Sequence, residues 1–273
     1  MSLILYYPWN WYPSVVIGFG IWTVAYLLLI GPLRLRFGWG KLPTPGQQVA
    51  FHFGTLIALF ALVSPLDTLG DEYLFSAHMV QHLLLLFITA PLWLLGIPGW
   101  SFDLLLPRKQ IAKLARMLTN PLVSYFIFAF VMIVWHLPAL YNLALEHESL
   151  HIFEHLTYLA AAVIGWWPIA APETRIAPKP TPPVRMLYIF LLTIPCTGLA
   201  AILTFAKVPF YPFYITAPRI LGLSTLADQQ LGGLLMWLPT HLVLLSALSL
   251  TFFGWFSSLK NNTSNHHPAS QLP

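Results

Sequence analysis

Apolar residues run in seven long blocks along this 273-residue chain, separated by short stretches rich in proline, glycine and charge. A membrane-crossing helix needs about 20 predominantly apolar residues. The blocks at 13–31, 47–64, 73–96, 121–138, 150–171, 185–206 and 229–256 are each of that order. Segments such as Pro43-Thr44-Pro45-Gly46 and Pro178-Lys179-Pro180-Thr181-Pro182-Pro183 read as the connecting loops. Pro91, Pro168, Pro195 and Pro239 fall inside the blocks. A soluble helix would break there, whereas neighbouring helices in a membrane bundle satisfy the freed carbonyls. The pattern predicts an all-α integral membrane protein. Residues 1–258 would form a bundle of seven transmembrane helices, and residues 259–273 a flexible tail.

Composition strengthens this reading. The chain is 58% hydrophobic and only 8% charged, with a mean hydropathy of +0.72. Soluble domains carry about 25% charged residues. Lipid must therefore solvate most of this surface. The net charge of +4 would suggest nucleic acid as the partner of a soluble protein, but here the basic residues sit in loops and report topology instead. Arg34, Arg36, Lys41, Arg108, Lys109, Lys113, Arg116, Arg175, Lys179, Arg185 and Lys260 fall on one side, and only Lys207 and Arg219 on the other. Positive charge accumulates on the cytoplasmic side. The expected topology is a multi-pass inner-membrane protein with its N-terminus outside and its C-terminus in the cytoplasm.

The N-terminal stretch MSLILYYPWNWYP has no basic region and no small-residue cleavage site, so it reads as a lead-in to the first span. The lone Cys196 rules out an internal disulfide and reads as a small buried residue. Trp9, Trp11, Tyr12, Trp93, Trp100, Trp166 and Trp167 lie near predicted span ends and suggest an interfacial aromatic belt. The sequons at Asn261 and Asn262 fall inside and should be silent. There is no internal repeat and no glycine-rich phosphate loop.

With the orientation set, the histidines share a depth. His78 and His82 lie four apart in the outer half of the third block, on one helix face. His151 and His155 repeat the spacing in the fifth block, while His136 ends the fourth and His147 lies in the outer loop that follows. His52, His241, His266 and His267 are scattered elsewhere. A single buried histidine is ordinarily a hydrogen-bonded core residue. Two i,i+4 pairs at one depth point instead to a ligand site, because ionisable groups within a membrane face the interior and are functional by default. Neutral imidazole suits copper, zinc and iron, and thioethers bias a site toward Cu(I). Met79, Met132 and Met236 also fall in the bundle, Met236 at about the depth of His82 by the 1.5 Å rise per residue. Cys196 joins such a site only if its span faces the histidines.

His151-Ile152-Phe153-Glu154-His155 also fits the H-x-x-E-H pattern of inverted zinc proteases. No downstream acidic zinc ligand completes it, and Glu154 reads better as an orienting partner for a liganding imidazole. Asp67, Asp71, Glu72, Glu146, Glu148 and Asp228 cluster on the outer side. Asp228 reads as a helix N-cap. The alternative is an acidic mouth that attracts cations.

Two stretches carry a family likeness. Phe75 to Pro98, FSAHMVQHLLLLFITAPLWLLGIP, resembles CtaG-like assembly factors of caa3-type cytochrome c oxidase, and so does Asp228 to Pro239, DQQLGGLLMWLP. The seven-span layout agrees, so the resemblance covers nearly the whole chain. It implies an accessory membrane protein that builds the oxidase by delivering or inserting copper, with His78, His82, His151 and His155 at matching positions. It assigns no role to His241.

The expectation is therefore a non-enzymatic assembly factor that handles copper, as Cu(I), in the outer half of the bundle. Its metal residues would be His78, His82, His151, His155, His136 and Met236. Its partners would be cytochrome c oxidase subunits or other assembly factors, together with membrane lipid and no nucleic acid. Two other readings stay open: a haem-binding membrane redox protein, and a cofactor-free scaffold for oxidase biogenesis.

Overall fold

The computed structural model describes residues 7–104 and 106–265. Every regular element among them is helical: α1 (Pro13–Phe37), α2 (Pro45–Val63), α3 (Pro65–Glu72), α4 (Phe75–Gly96), α5 (Gly99–Asp103), α6 (Lys109–Leu118), α7 (Pro121–Trp135), α8 (Pro138–Glu146), α9 (Glu148–Ala170), α10 (Pro182–Thr204), α11 (Pro212–Thr216) and α12 (Thr225–Asn265). A helix thus covers each of the seven apolar blocks. Five of them, α1, α2, α4, α10 and α12, are long and apolar enough to cross a membrane. A bent pair, α6 with α7, would make a sixth. α7 alone has 15 residues. In α9, Glu148, His151, Glu154 and His155 dilute the hydropathy of the N-terminal half. The last helix continues through Asn265, into the segment expected to be flexible, and His266 and His267 lie outside the described residues.

Local chemistry sets the helix ends. Thr44 and Gln47 form a reciprocal capping box at the start of α2, with Pro45 in the first turn, where its missing N–H costs nothing. Asn120 accepts from the Leu122 N–H ahead of Pro121, so the chain turns there, and α6 and α7 meet at 70°. α1 kinks at Gly31-Pro32, and α4 widens into a π-turn over Leu84–Thr89, just before Pro91. Proline lacks an N–H and its ring crowds the carbonyl four residues back, so a widened turn upstream relieves the clash. The Leu86 carbonyl in that turn accepts from the Trp166 indole at 2.8 Å.

α4 packs on α12, α2 and α9. A closed ring of α4, α9, α7, α10 and α12 surrounds the core, with α2 and then α1 outside α4. Gly233 lets α12 approach α10 closely, since a Cβ there would lie 2.7 Å from the Thr204 backbone nitrogen. Such small-residue contacts are how membrane helices approach each other. Outward faces are apolar, as with Phe126 and Phe130 on α7 or Leu238, Leu242 and Leu245 on α12.

Two of the expected belt residues are core instead. Trp93 is buried and donates to the Thr55 hydroxyl at 3.0 Å, and Trp166 is buried against Leu86. Their indole N–H groups find partners inside the bundle, which removes the reason to seek the interface. Trp9 and Trp11 remain exposed and stacked. Asp228 caps a helix, though not its own. It accepts from the N–H groups of Phe75 and Ser76 at the start of α4, while the Ser224 hydroxyl accepts from the Ala227 N–H at the start of α12. This cross-link fixes the depth of α4, and so of His78, against α12.

Candidate metal centre

The i,i+4 pairs on α4 and α9 face each other. His78 is fully buried and His82 is 5% exposed, and their Nε2 atoms are 2.9 Å apart. Across the helix interface, ring centroids lie 5.4 Å apart for His78 and His151, 5.9 Å for His78 and His155, and 5.2 Å for His82 and His155. Two ligand sets arise, His78–His151–His155 and His78–His82–Glu154, each with donor atoms within 4.8 Å of one another. Donors about 2.0 Å from a tetrahedral ion stand about 3.3 Å apart, so small side-chain rotations would close either set.

Carboxylates complete the cluster. The Asp71 oxygens lie 3.6 Å from Nδ1 of His78 and 3.6 Å from Nδ1 of His151, outside hydrogen-bond range. α3 can lie this close because Gly70 has no side chain: a Cβ there would sit 2.9 Å from the His78 Cα. The Gln81 amide donates to the Asp67 carboxylate at 2.8 Å and to the Ala61 carbonyl at 3.0 Å, holding α3 in place. Burial raises the pKa of both Asp67 and Asp71 above the ordinary carboxylate range. Glu154 is buried on α9 with Oε1 unpartnered. One of its oxygens lies within 4.8 Å of ring nitrogens of His78 and His82.

Buried polar atoms in folded proteins are almost always paired. This cluster breaks that rule repeatedly. Nδ1 of His78 and His82, Nε2 of His151 and His155, Oε1 of Glu154 and Oδ1 of Asp71 are buried with no hydrogen-bond partner among the described residues. His241 is the contrast: Nδ1 meets the Trp237 carbonyl at 2.7 Å and Nε2 the Thr197 hydroxyl at 3.0 Å.

The other expected metal residues stand elsewhere. His136 ends α7 and is in neither of the two ligand sets, and Met236 stands on α12. Both line a separate small cavity that His82 also touches. His147 is exposed between α8 and α9. In the sequence Asp71 is only one of several acids expected on the outer side, although its i,i+4 spacing from Asp67 places both on one face of α3.

A cavity of about 700 Å³ opens beside the cluster, bounded by α1, α4 and α9. Asp67, Asp71, Glu146 and Glu148 line it together with His151 and His155, and Trp22 and Trp93 form part of its apolar wall. Four carboxylates thus meet at the approach to the imidazoles.

Residues 24–258 match the family described as cytochrome c oxidase caa3 assembly factor (Caa3_CtaG). The chain is 21% identical, over 89% of its length, to the uncharacterized protein ML1998 of Mycobacterium leprae, and spans about 40% of that relative's length. No solved structure matches the chain. With all but the ends of the chain matched, this protein belongs to the cytochrome c oxidase caa3 assembly factor family.

Proposed function

We propose that this protein handles copper during cytochrome c oxidase assembly, taking the ion from the outer side and holding it between α4 and α9. His78, His82, His151 and His155 supply imidazoles, and Asp71 and Glu154 supply charge. The observation that carries the reading is the set of buried, unpartnered ring nitrogens and carboxylate oxygens facing one another across two helices. Neutral imidazoles need no deprotonation to bind, and the carboxylates offset the ion's charge where water is scarce. Family membership supports the link to the oxidase.

The proposal includes seven membrane crossings in the inner membrane, with the N-terminus outside, on the loop charges. This topology opens the large cavity outward, and its carboxylates would concentrate cations at the entrance. An oxidase subunit or a second assembly factor then receives the ion. The test is copper content of the purified protein with X-ray absorption at the metal. His78→Ala with His82→Ala should abolish nitrogen-ligated copper and reduce oxidase activity in membranes. Retention of a nitrogen-ligated ion would remove this site.

One observation favours a second reading. The 700 Å³ cavity has an apolar wall beside His151 and His155, which would suit haem held through one imidazole. A Soret band in the purified protein would support it, and a colourless protein would exclude it.

A further inference from the structure

The cavity shared by His82, His136 and Met236 has a chemistry of its own. It lies inside the helix ring and is lined by Met79, Met132, Met236 and Cys196 as well as by both histidines. Three thioethers come from three helices, α4, α7 and α12, and the thiol from α10. All four sulfur residues are at most 5% exposed. The volume is about 20 Å³, room for one atom-sized occupant. Methionines alone would be gap fillers.

His136 is what separates this cavity from ordinary packing. It is 8% exposed, and its Nδ1 lies 2.7 Å from the Met132 carbonyl oxygen. A carbonyl only accepts, so Nδ1 carries the proton and Nε2 keeps a bare lone pair. That Nε2 is buried with no hydrogen-bond partner among the described residues. The Tyr158 hydroxyl, 3.0 Å from Nδ1, and the Tyr211 hydroxyl, donating to the His136 carbonyl at 3.1 Å, hold the residue in place. His136 thus joins a wall otherwise made largely of sulfur and hydrocarbon.

We infer that this cavity is a second station for a soft monovalent cation, Cu(I), ligated by the thioethers of Met79, Met132 and Met236 and by His136 Nε2. The inference deepens the copper reading above and rests on it for the source of the ion. Thioethers select Cu(I). A neutral donor set in an apolar wall also favours a single positive charge, because the cost of burying an ion rises steeply with its charge. The outer cluster has carboxylates and the inner cavity has none. His82 borders both, so an ion can pass inward by exchanging one ligand at a time around that ring.

The experiment loads purified protein in detergent with Cu(I) anaerobically against a Cu(I) chelator, and repeats the titration with Ag(I). Wild type should bind two equivalents, one of them with sulfur at bonding distance in X-ray absorption. Met79→Leu, Met132→Leu and Met236→Leu together should leave one equivalent with nitrogen and oxygen only. His78→Ala with His151→Ala should leave the sulfur-ligated equivalent. If the triple variant misfolds, selenomethionine-labelled wild type decides instead, since the inner station requires copper–selenium scattering. A wild type holding only nitrogen-ligated copper, or a triple variant keeping both equivalents, overturns the inner station and leaves the outer one standing. A wild type binding no copper at all overturns both.

Discussion

Two regions on either side of the His82 ring differ in nearly every physical respect. On the side of α3, four imidazoles and two carboxylates gather between α4 and α9, beside a cavity of about 700 Å³. Within the helix ring, three methionines, a cysteine and His136 enclose about 20 Å³. The first region is polar, charged and approachable. The second is soft, free of carboxylates and far smaller. Both leave imidazole nitrogens without partners, which a merely structural histidine such as His241 does not. The difference teaches that histidine count says little here, and that the neighbours of each ring decide what it can hold.

Substitutions can break or sharpen that contrast, and His82→Ala should have the largest effect. It removes the ring common to both regions, so copper affinity should fall by more than the roughly 10–100-fold typical of losing an outer hydrogen-bonding partner. Competition titration checks this, and unchanged affinity would separate the two regions. Glu154→Gln keeps shape and removes charge. It should weaken nitrogen-ligated copper by about 10–100-fold and leave the sulfur-ligated equivalent alone. Gly70→Ala forces a methyl group against the His78 backbone. Overpacking of this kind costs about 1–3 kcal/mol, readable as a lower melting temperature in detergent, with looser copper at the outer cluster only. His241→Leu should cost about 1 kcal/mol of stability and leave copper stoichiometry unchanged, since both ring nitrogens already have partners.

Much of the helical layout was legible because a lipid-solvated chain announces its apolar blocks. The pairing of His78 with His82 and of His151 with His155 was legible because helical spacing puts residues four apart on one face. What hid from the sequence was mostly non-local. Asp71 reaches the cluster because α3 folds back over α4 at Gly70, a close approach that no periodicity reports. Trp93 and Trp166 sit near block ends but point inward, where Thr55 and the Leu86 carbonyl meet their N–H groups. Asp228 stood at a helix start and read as that helix's cap, while its acceptors serve the start of α4 instead. Depth alone groups His136 and Met236 with the four paired histidines. Depth cannot resolve which sector of the ring a side chain faces, and both turn into the smaller cavity.

The π-turn at Leu84–Thr89 has a consequence for how this helix can vary. One surplus residue in a turn advances everything downstream by about 100° around the axis. The half of α4 that ends at Gly96 is thereby clocked independently of the half that carries His78 and His82. Deleting a single residue from that turn would leave the histidines aimed at α9 while swinging Trp93 off Thr55 and taking the Leu86 carbonyl from Trp166. The surplus residue is a set screw between two halves of one rod, letting either half be re-aimed in evolution without disturbing the other.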